Sequence, residues 1–520
     1  MTSIDPARGL LLLAIDNSVL RVRENLCLYM SKPAVRAEPV LKPSPRVSSA
    51  PDNCAAMFYG TVLEDPGPFG GRFRMWYHAC HWGMNPDWPP AIARQFAKYK
   101  DPMLMGPPCY AESDDGIVWS KPSLGQVLFK GTRDNNAIDL PHGLTGGVNV
   151  IRDDEDPDER RCYKMVYEFY PRHSDPPLEG AGRMSTVVTA VSADGLHWTV
   201  TGIPWVDRFI EQSGLYRHQG KYIVGYQAGG AWDSHFSEGG HPAGRSGLVR
   251  YSYDFDHWTD GCIESLLMAE PADPVERGAR GSYIQNHMGV AAASFGNVCV
   301  GLYGLWHNRP DFVDNSCDLG LAVSNDGMVF REPVKGHAFI RSEESPAPPH
   351  PDRHFNTNLC QGNGILNVGD ETRIYHGRWR NTGFDYGDRY YGEIALATLP
   401  RDRWGGLGLF PNRGEGWVWT EPLDLGKDGS SLFINAEGAD GMQVEIADEA
   451  FRPLPEYSGE NAGTPASDGL DIPVEWLHGT TGLGGATVRL KVTLRSETAR
   501  PPRLYGLRVR GARFGSIERP

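Results

Sequence analysis

The stretch SADGLHW at 192–198 returns as SDDGIVW at 113–119, SYDFDHW at 252–258 and SNDGMVF at 324–330, with a weaker relative, ATLPRDRW, ending at Trp404. The motif serines Ser113, Ser192, Ser252 and Ser324 stand 79, 60 and 72 residues apart, and Thr398 follows 74 beyond the last. Internal repetition at this spacing limits the architectures open to the chain, because each unit must bury its apolar face against a neighbour.

The units share an internal order. In the first, AAMFYGTVLED (55–65) and RFRMWYHAC (72–80) read as strands around the turn PGPFGG, and CYAES follows before the motif. GVNVIRD, EDPDER, CYKMVYEF and STVVTAVSADGLHWT repeat that order, and three further hairpins, each with a trailing strand, bring the count to five. Hairpins rich in Val, Ile, Tyr and Trp and punctuated by Gly, Asp and Asn predict β-sheets. Five such units fit radial four-stranded blades, so the expected fold is all-β, a five-bladed β-propeller. Asp115, Asp194 and Asp326 are then turn residues, Trp119, Trp198, Trp258 and Phe330 pack between blades, and His197 and His257 are surface or packing residues rather than catalytic ones.

Near residue 405 the pattern changes to short alternating strands such as WVWTEPLDLG and ATVRLKVTLRS, which predict a C-terminal β-sandwich. The domain reading is an N-terminal extension at 1–49 packing on the propeller, a catalytic propeller at 50–404 and a sandwich at 405–520. One short helix is expected around 91–100, and RGARGS (277–282) reads as a loop.

A net charge of −14 without a basic stripe argues against nucleic acid as a partner. The apolar run Leu10–Ile15 is too short to span a membrane and has no cationic leader. Nine cysteines without paired spacing point to a reduced, cytoplasmic protein, and homo-oligomerisation stays open. No metal or cofactor motif is present, so neither is expected.

In a propeller the inner strands begin at one mouth of a central channel. The residues at those starts are Asp52, Asn53, Asn149, Glu211, Gln212, Asn286, His287, Gln361 and Asn363. The second strands end at the same side, bringing Trp76, Trp82 and Trp306 as an aromatic platform with His78, His81, Glu168, Gln227, His307 and Arg378 as polar partners. Tryptophan beside hydrogen-bonding groups suits a sugar, which has an apolar face and a hydroxyl rim. Asp52 and Glu211 supply the two carboxylates that glycoside hydrolysis needs, with Glu211 beside Phe209 and Ile210 as the acid and Glu168 as the rival acid.

Taken together, FRMWYHA, AESDDGIVWSKPSLGQVLFKGTRDNN, TAVSADGLHW, AVSNDGMVF and ETRIYHGRW resemble the five-bladed β-propeller glycoside hydrolases, closest to the family 32-like β-fructosidase group and more distantly family 43. The resemblance implies Asp52 as nucleophile and Glu211 as general acid. It also implies a C-terminal sandwich and a small fructoside or other furanoside as substrate. The chain departs from the family pattern with SAPDNCAAM in the first blade and EQSG in the third. For the absent second-blade acid, Asn149, Glu168 or Asp139 could substitute. Two alternatives stand beside hydrolysis. One is a glycoside phosphorylase or transglycosylase, with Arg172, His173, Arg309, Arg378 and Arg380 as phosphate-binding candidates. The other is a non-catalytic carbohydrate-binding propeller.

Overall fold

The computed structural model describes residues 9–87, 103–142, 144–170, 185–206, 210–228, 246–266, 284–307, 315–380, 389–427, 429–496 and 500–515. The helix expected around 91–100, the loop RGARGS, and Arg172, His173, Phe209 and Arg309 lie outside them. The described elements are β-strands and short 3-10 turns, so the chain is essentially all-β.

Each repeat folds as predicted at the level of its hairpins. The second unit is a four-stranded antiparallel sheet of Thr145–Arg152, Tyr163–Phe169, Thr186–Ser192 and Thr199–Gly202. A third unit of the same kind comprises Glu211–His218, Lys221–Ala228, Ser246–Ser252 and Ile263–Leu266. Units four, five and one are joined by single parallel pairings, Cys317 with Asn358 and Gly392 with Ala55. Their leading strands are Ile284–Ser294, Ile365–Val368 and Ala55–Glu64.

The leading strands touch in a closed cycle. Ala55–Glu64 contacts Thr145–Arg152, which contacts Glu211–His218, then Ile284–Ser294, then Ile365–Val368, which returns to Ala55–Glu64. Asn149 Nδ2 ties the first and third units by donating to Gly60 O at 3.2 Å and Ser213 O at 3.0 Å. At the far end of these strands a cavity of about 450 Å³ is lined by Val62, Ile151, Leu215, Ala293 and Asn363, among others, so all five units contribute.

The repeated motif explains how neighbouring units join. Ser192 Oγ accepts the Gly195 N–H at 2.9 Å, while Asp194 Oδ1 accepts those of Leu196 and His197 at 2.8 Å each. The other three copies make the same bonds around Asp115, Asp254 and Asp326. Burial alone would raise the Asp194 carboxyl, but these amides and the His197 ring hold it down to about 2. The turn needs a left-handed residue: Gly116, Gly195 and Gly327 have φ of 73°, 75° and 72°, and Phe255 fills the place at 69°.

Each turn then offers a carbonyl to the preceding unit. Trp76 Nε1 donates to Gly195 O at 2.8 Å, Tyr216 Oη to Gly327 O at 2.8 Å, and Arg161 Nη2 to Asp254 O at 3.3 Å. Tyr375 Oη of unit five donates to Gly116 O of unit one at 2.8 Å. Asp194→Ala therefore removes a charged acceptor of two amides, and a loss of about 1.5–3 kcal/mol is expected in urea unfolding. A change below 0.5 kcal/mol, roughly the scatter of neutral surface substitutions, would rule out this role for the turn.

The amino-terminal strand Leu10–Leu13 pairs with Arg503–Arg510, and Leu26–Met30 pairs with Gly405–Leu409. Its side chains alternate. Leu10 and Leu12 enter a core with Leu432, Ile434, Val444 and Val492, whereas Leu11 and Leu13 pack with Leu302, Leu319 and Ile374 of units four and five. Burial on both faces explains the continuous apolar run, each leucine contributing roughly 1.5–3 kcal/mol. Ala34–Val35 pairs with Tyr391–Pro400 at the outer edge of unit five. Beyond residue 404, two sheets share that first core, with Leu407, Leu432 and Leu507 from one and Val418, Ile446 and Val492 from the other.

Candidate functional site

Glu211 opens the leading strand of unit three and faces Gln227 at the end of the adjoining strand. Gln227 Nε2 donates to Glu211 Oε2. Glu168 ends the corresponding strand of unit two, only 4% exposed, and the Gly147 N–H reaches its Oε2 at 3.4 Å. Burial and then the charge of Glu211 raise the Glu168 carboxyl far above the ordinary carboxylate range, against hydrogen bonding from Ser185 and Tyr170.

Aromatic side chains wall the same region. Tyr59 Oη lies 3.0 Å from His287 Nε2. The His287 ring stacks on Trp379 with centroids 6.4 Å apart and lies 4.5 Å from Trp306. Trp379 meets Tyr59 and Tyr390 edge-on at 6.4 and 5.9 Å. Trp82, Met288 and Met103 complete this apolar cluster. His78, 6.2 Å from the Tyr59 ring, is pulled down to about 4 by burial and is neutral at pH 7. Its Nδ1 has no partner among the described residues.

Of the residues expected from sequence, Glu168, Glu211, Gln227, His78, His287, Trp82 and Trp306 are thus brought together. Gln212 and Gln361 lie beside them but bind backbone. Gln212 Nε2 donates to Gly147 O at 2.7 Å, and Gln361 Nε2 donates to His287 O at 2.7 Å and Gly289 O at 2.8 Å. Asn149 has the tying role described above. His307, partly exposed, meets Asp318 at 3.1 Å.

Four residues have other commitments. Asp52 does open the first unit, yet its fully buried carboxylate accepts from Tyr77 Oη at 2.8 Å and Lys121 Nζ at 2.5 Å, and no described contact joins it to Glu211. Asn53 binds the carbonyls of Arg46 and Ser48 and the Trp82 N–H. Trp76 is buried between units one and two, so it cannot join a platform with Trp306. Arg378 pairs with Glu393 at 2.9 Å and donates to the carbonyls of Ala37 and Pro346.

Tyr59, Tyr170, Trp379 and Tyr390 were not among the sequence candidates. Trp379 had a signal: IYHGRW ends its strand as YGLW does for Trp306. The resulting site has one carboxyl that favours its protonated form next to a second carboxylate, walled by indole and phenol rings. That arrangement can deliver a proton and offer a negative charge to one small polar molecule with an apolar face. Among the described residues, no group of three His, Cys, Asp or Glu could hold a metal ion, and no helix is long and apolar enough to cross a membrane.

Neither a protein family nor a curated protein matches the sequence. Solved structures share its shape only distantly. An N-acetylgalactosamine deacetylase from F. plautii is 13% identical over 72% of this chain and 96% of its own, with a TM-score of 0.43. A family 43 arabinoxylan arabinofuranohydrolase from Bacillus subtilis is 12% identical over 91% and 99%, with a TM-score of 0.34. A family 32 β-fructofuranosidase from Bombyx mori is 10% identical over 91% and 94%, with a TM-score of 0.33. Likeness at this level does not transfer an activity, and these three proteins differ in theirs.

Proposed function

We propose that the chain is a glycoside hydrolase in which Glu168 and Glu211 divide the acid–base work. The observation that carries this reading is the pair itself: two carboxyls from successive units in one aromatic-walled site, with Glu168 raised by burial and by Glu211. Glu168 gives its proton to the leaving oxygen as the glycosidic C–O bond breaks. Glu211, as carboxylate, attacks the anomeric carbon or takes a proton from the attacking water. Trp306, Trp379 and Tyr59 offer faces for the sugar ring. The substrate class proposed is a small glycoside, a fructoside or other furanoside first among them.

The architecture proposed with it is a five-bladed propeller over 50–404 with a sandwich over 405–520. The closed cycle of leading strands and the cavity shared by five units support the propeller. Packing of Leu11 and Leu13 with residues of units four and five supports docking of the extension proposed at 1–49 on the propeller. Nine cysteines outside any disulfide support a reducing, cytoplasmic setting.

The test is incubation with sucrose and with 4-nitrophenyl arabinofuranoside, galactoside and glucoside, with and without inorganic phosphate. Free sugar released without phosphate is the expected result. Sugar 1-phosphate formed only with phosphate would replace hydrolysis by phosphorolysis, and binding without turnover would reject catalysis.

A further inference from the structure

The strand Ile284–Ser294 does not run straight past the site. Its register against Cys299–His307 slips between His287 and Val290. There Met288 has φ 66° and Gly289 φ 80°. A left-handed methionine costs roughly 1–3 kcal/mol and persists only where its surroundings over-determine it. Four hydrogen bonds do so. The Met288 N–H donates to Gln227 Oε1 at 2.6 Å and the Gly289 N–H to Asn286 Oδ1 at 3.0 Å. Gln361 Nε2 holds the carbonyls of His287 and Gly289. A Cβ at Gly289 would stand 2.4 Å from Tyr226 O, so the bulge is also sterically closed.

The consequence falls on Gln227. An amide whose oxygen is taken by a backbone N–H must turn its NH₂ the other way. That Nε2 donates to Glu211 Oε2. A bulge in unit four thereby decides, through a glutamine of unit three, which carboxylate oxygen is occupied. Among the described residues, the charge of Glu211 acts on Glu168 and Tyr170 of unit two and on Tyr59 of unit one, none of which carries positive charge.

We propose that Gln227 is the positioning residue of this site, locked by the Met288 bulge so that Glu211 is held at Oε2 and presents Oε1 to the substrate. The proposal rests on the reading of Glu168 and Glu211 as the reacting pair. Without the Gln227 bond the Glu211 carboxylate can turn, and its charge is no longer held in one place beside Glu168.

The experiment follows the ¹³C signal of the Glu168 carboxyl against pH in the full chain and in two variants. Gln227→Met keeps the shape and loses the donor. Gln227→Asn keeps the amide but is too short to reach both partners. In each, the Glu168 titration is expected to move by about 0.5–1 pH unit as the Glu211 charge leaves its held position. With any aryl glycoside the wild type cleaves, kcat is expected to fall roughly 10–100-fold, with KM within about threefold, as for a lost transition-state contact. A folded variant with an unmoved Glu168 titration overturns the proposal. So does failure of both variants to fold, which would make Gln227 structural. Full activity in Glu168→Gln and Glu211→Gln would instead reject the reacting pair, a separate outcome from any shift caused by Gln227.

Discussion

Replacing Glu168 by Gln is expected to lower turnover of a glycoside with a poor leaving group by roughly 10²–10⁴-fold, the usual contribution of a positioned acid. A 4-nitrophenyl glycoside, whose leaving group needs little protonation, should lose far less. Glu211→Gln should damage both substrates alike, because attack or water activation is needed whatever leaves. Equal losses on both substrates in Glu168→Gln would contradict the acid role. The same variant carries a stability signature. Glu168 is raised to about 7 in the fold, against about 4.5 for an ordinary glutamate. The protonated form is therefore favoured by folding, and its contribution is complete below about pH 4.5 and lost as pH rises through 7. Glutamine cannot ionise. Relative to wild type, Glu168→Gln should gain stability between pH 5 and pH 8, by an amount on the order of a few kcal/mol. Parallel unfolding curves at both pH values would show that the carboxyl is not perturbed.

Asp65→Ala should be among the most damaging changes in the chain. Asp65 is buried in the first hairpin turn and accepts from Arg74 at 3.1 Å, from Tyr163 at 2.5 Å and from Arg152. Arg74 is itself buried and reaches Tyr110 and the Asp194 carbonyl of the next unit. Removing one partner leaves a desolvated guanidinium without its counter-charge, which costs about 3–5 kcal/mol. The second unit repeats the device: Asp153 accepts from Tyr222 and from Arg217 at 2.8 Å, with Lys164 at 3.6 Å. Joint replacement, Asp65→Leu with Arg74→Met, should cost less than the sum of the two single changes, since no charge is then stranded. Additive losses would show that the pair is not energetically coupled.

The repeats were legible because their signal is local. Ser, Asp and a left-handed residue within four positions build the turn, Gly in three copies and Phe255 in the other, and the alternating strands around it fix the sheets. The starts and ends of the leading strands were legible as places, since they follow from the hairpins. Which side chains gather there was only half legible. Asp52 stands at the expected start, but its carboxylate is taken by Lys121, a residue 69 positions away whose approach no local pattern encodes. Trp76 and Trp82 share one strand, yet Trp76 is sealed under the Gly195 turn of the next unit while Trp82 joins the cluster with Trp306. Trp379 was passed over for its neighbour Arg378, although adjacent strand residues must face opposite ways. The Met288 bulge left no trace that hydrophobic periodicity could detect.

The measurement closest to the central claim is the ¹³C titration of the Glu168 carboxyl in wild type and in Glu211→Gln. The account predicts a wild-type midpoint near 7 and a clear fall when the charge at Glu211 is removed, with burial keeping it above the ordinary range. A Glu168 that titrates like an exposed glutamate, or one that Glu211→Gln leaves unmoved, would contradict the pairing on which the proposed chemistry depends.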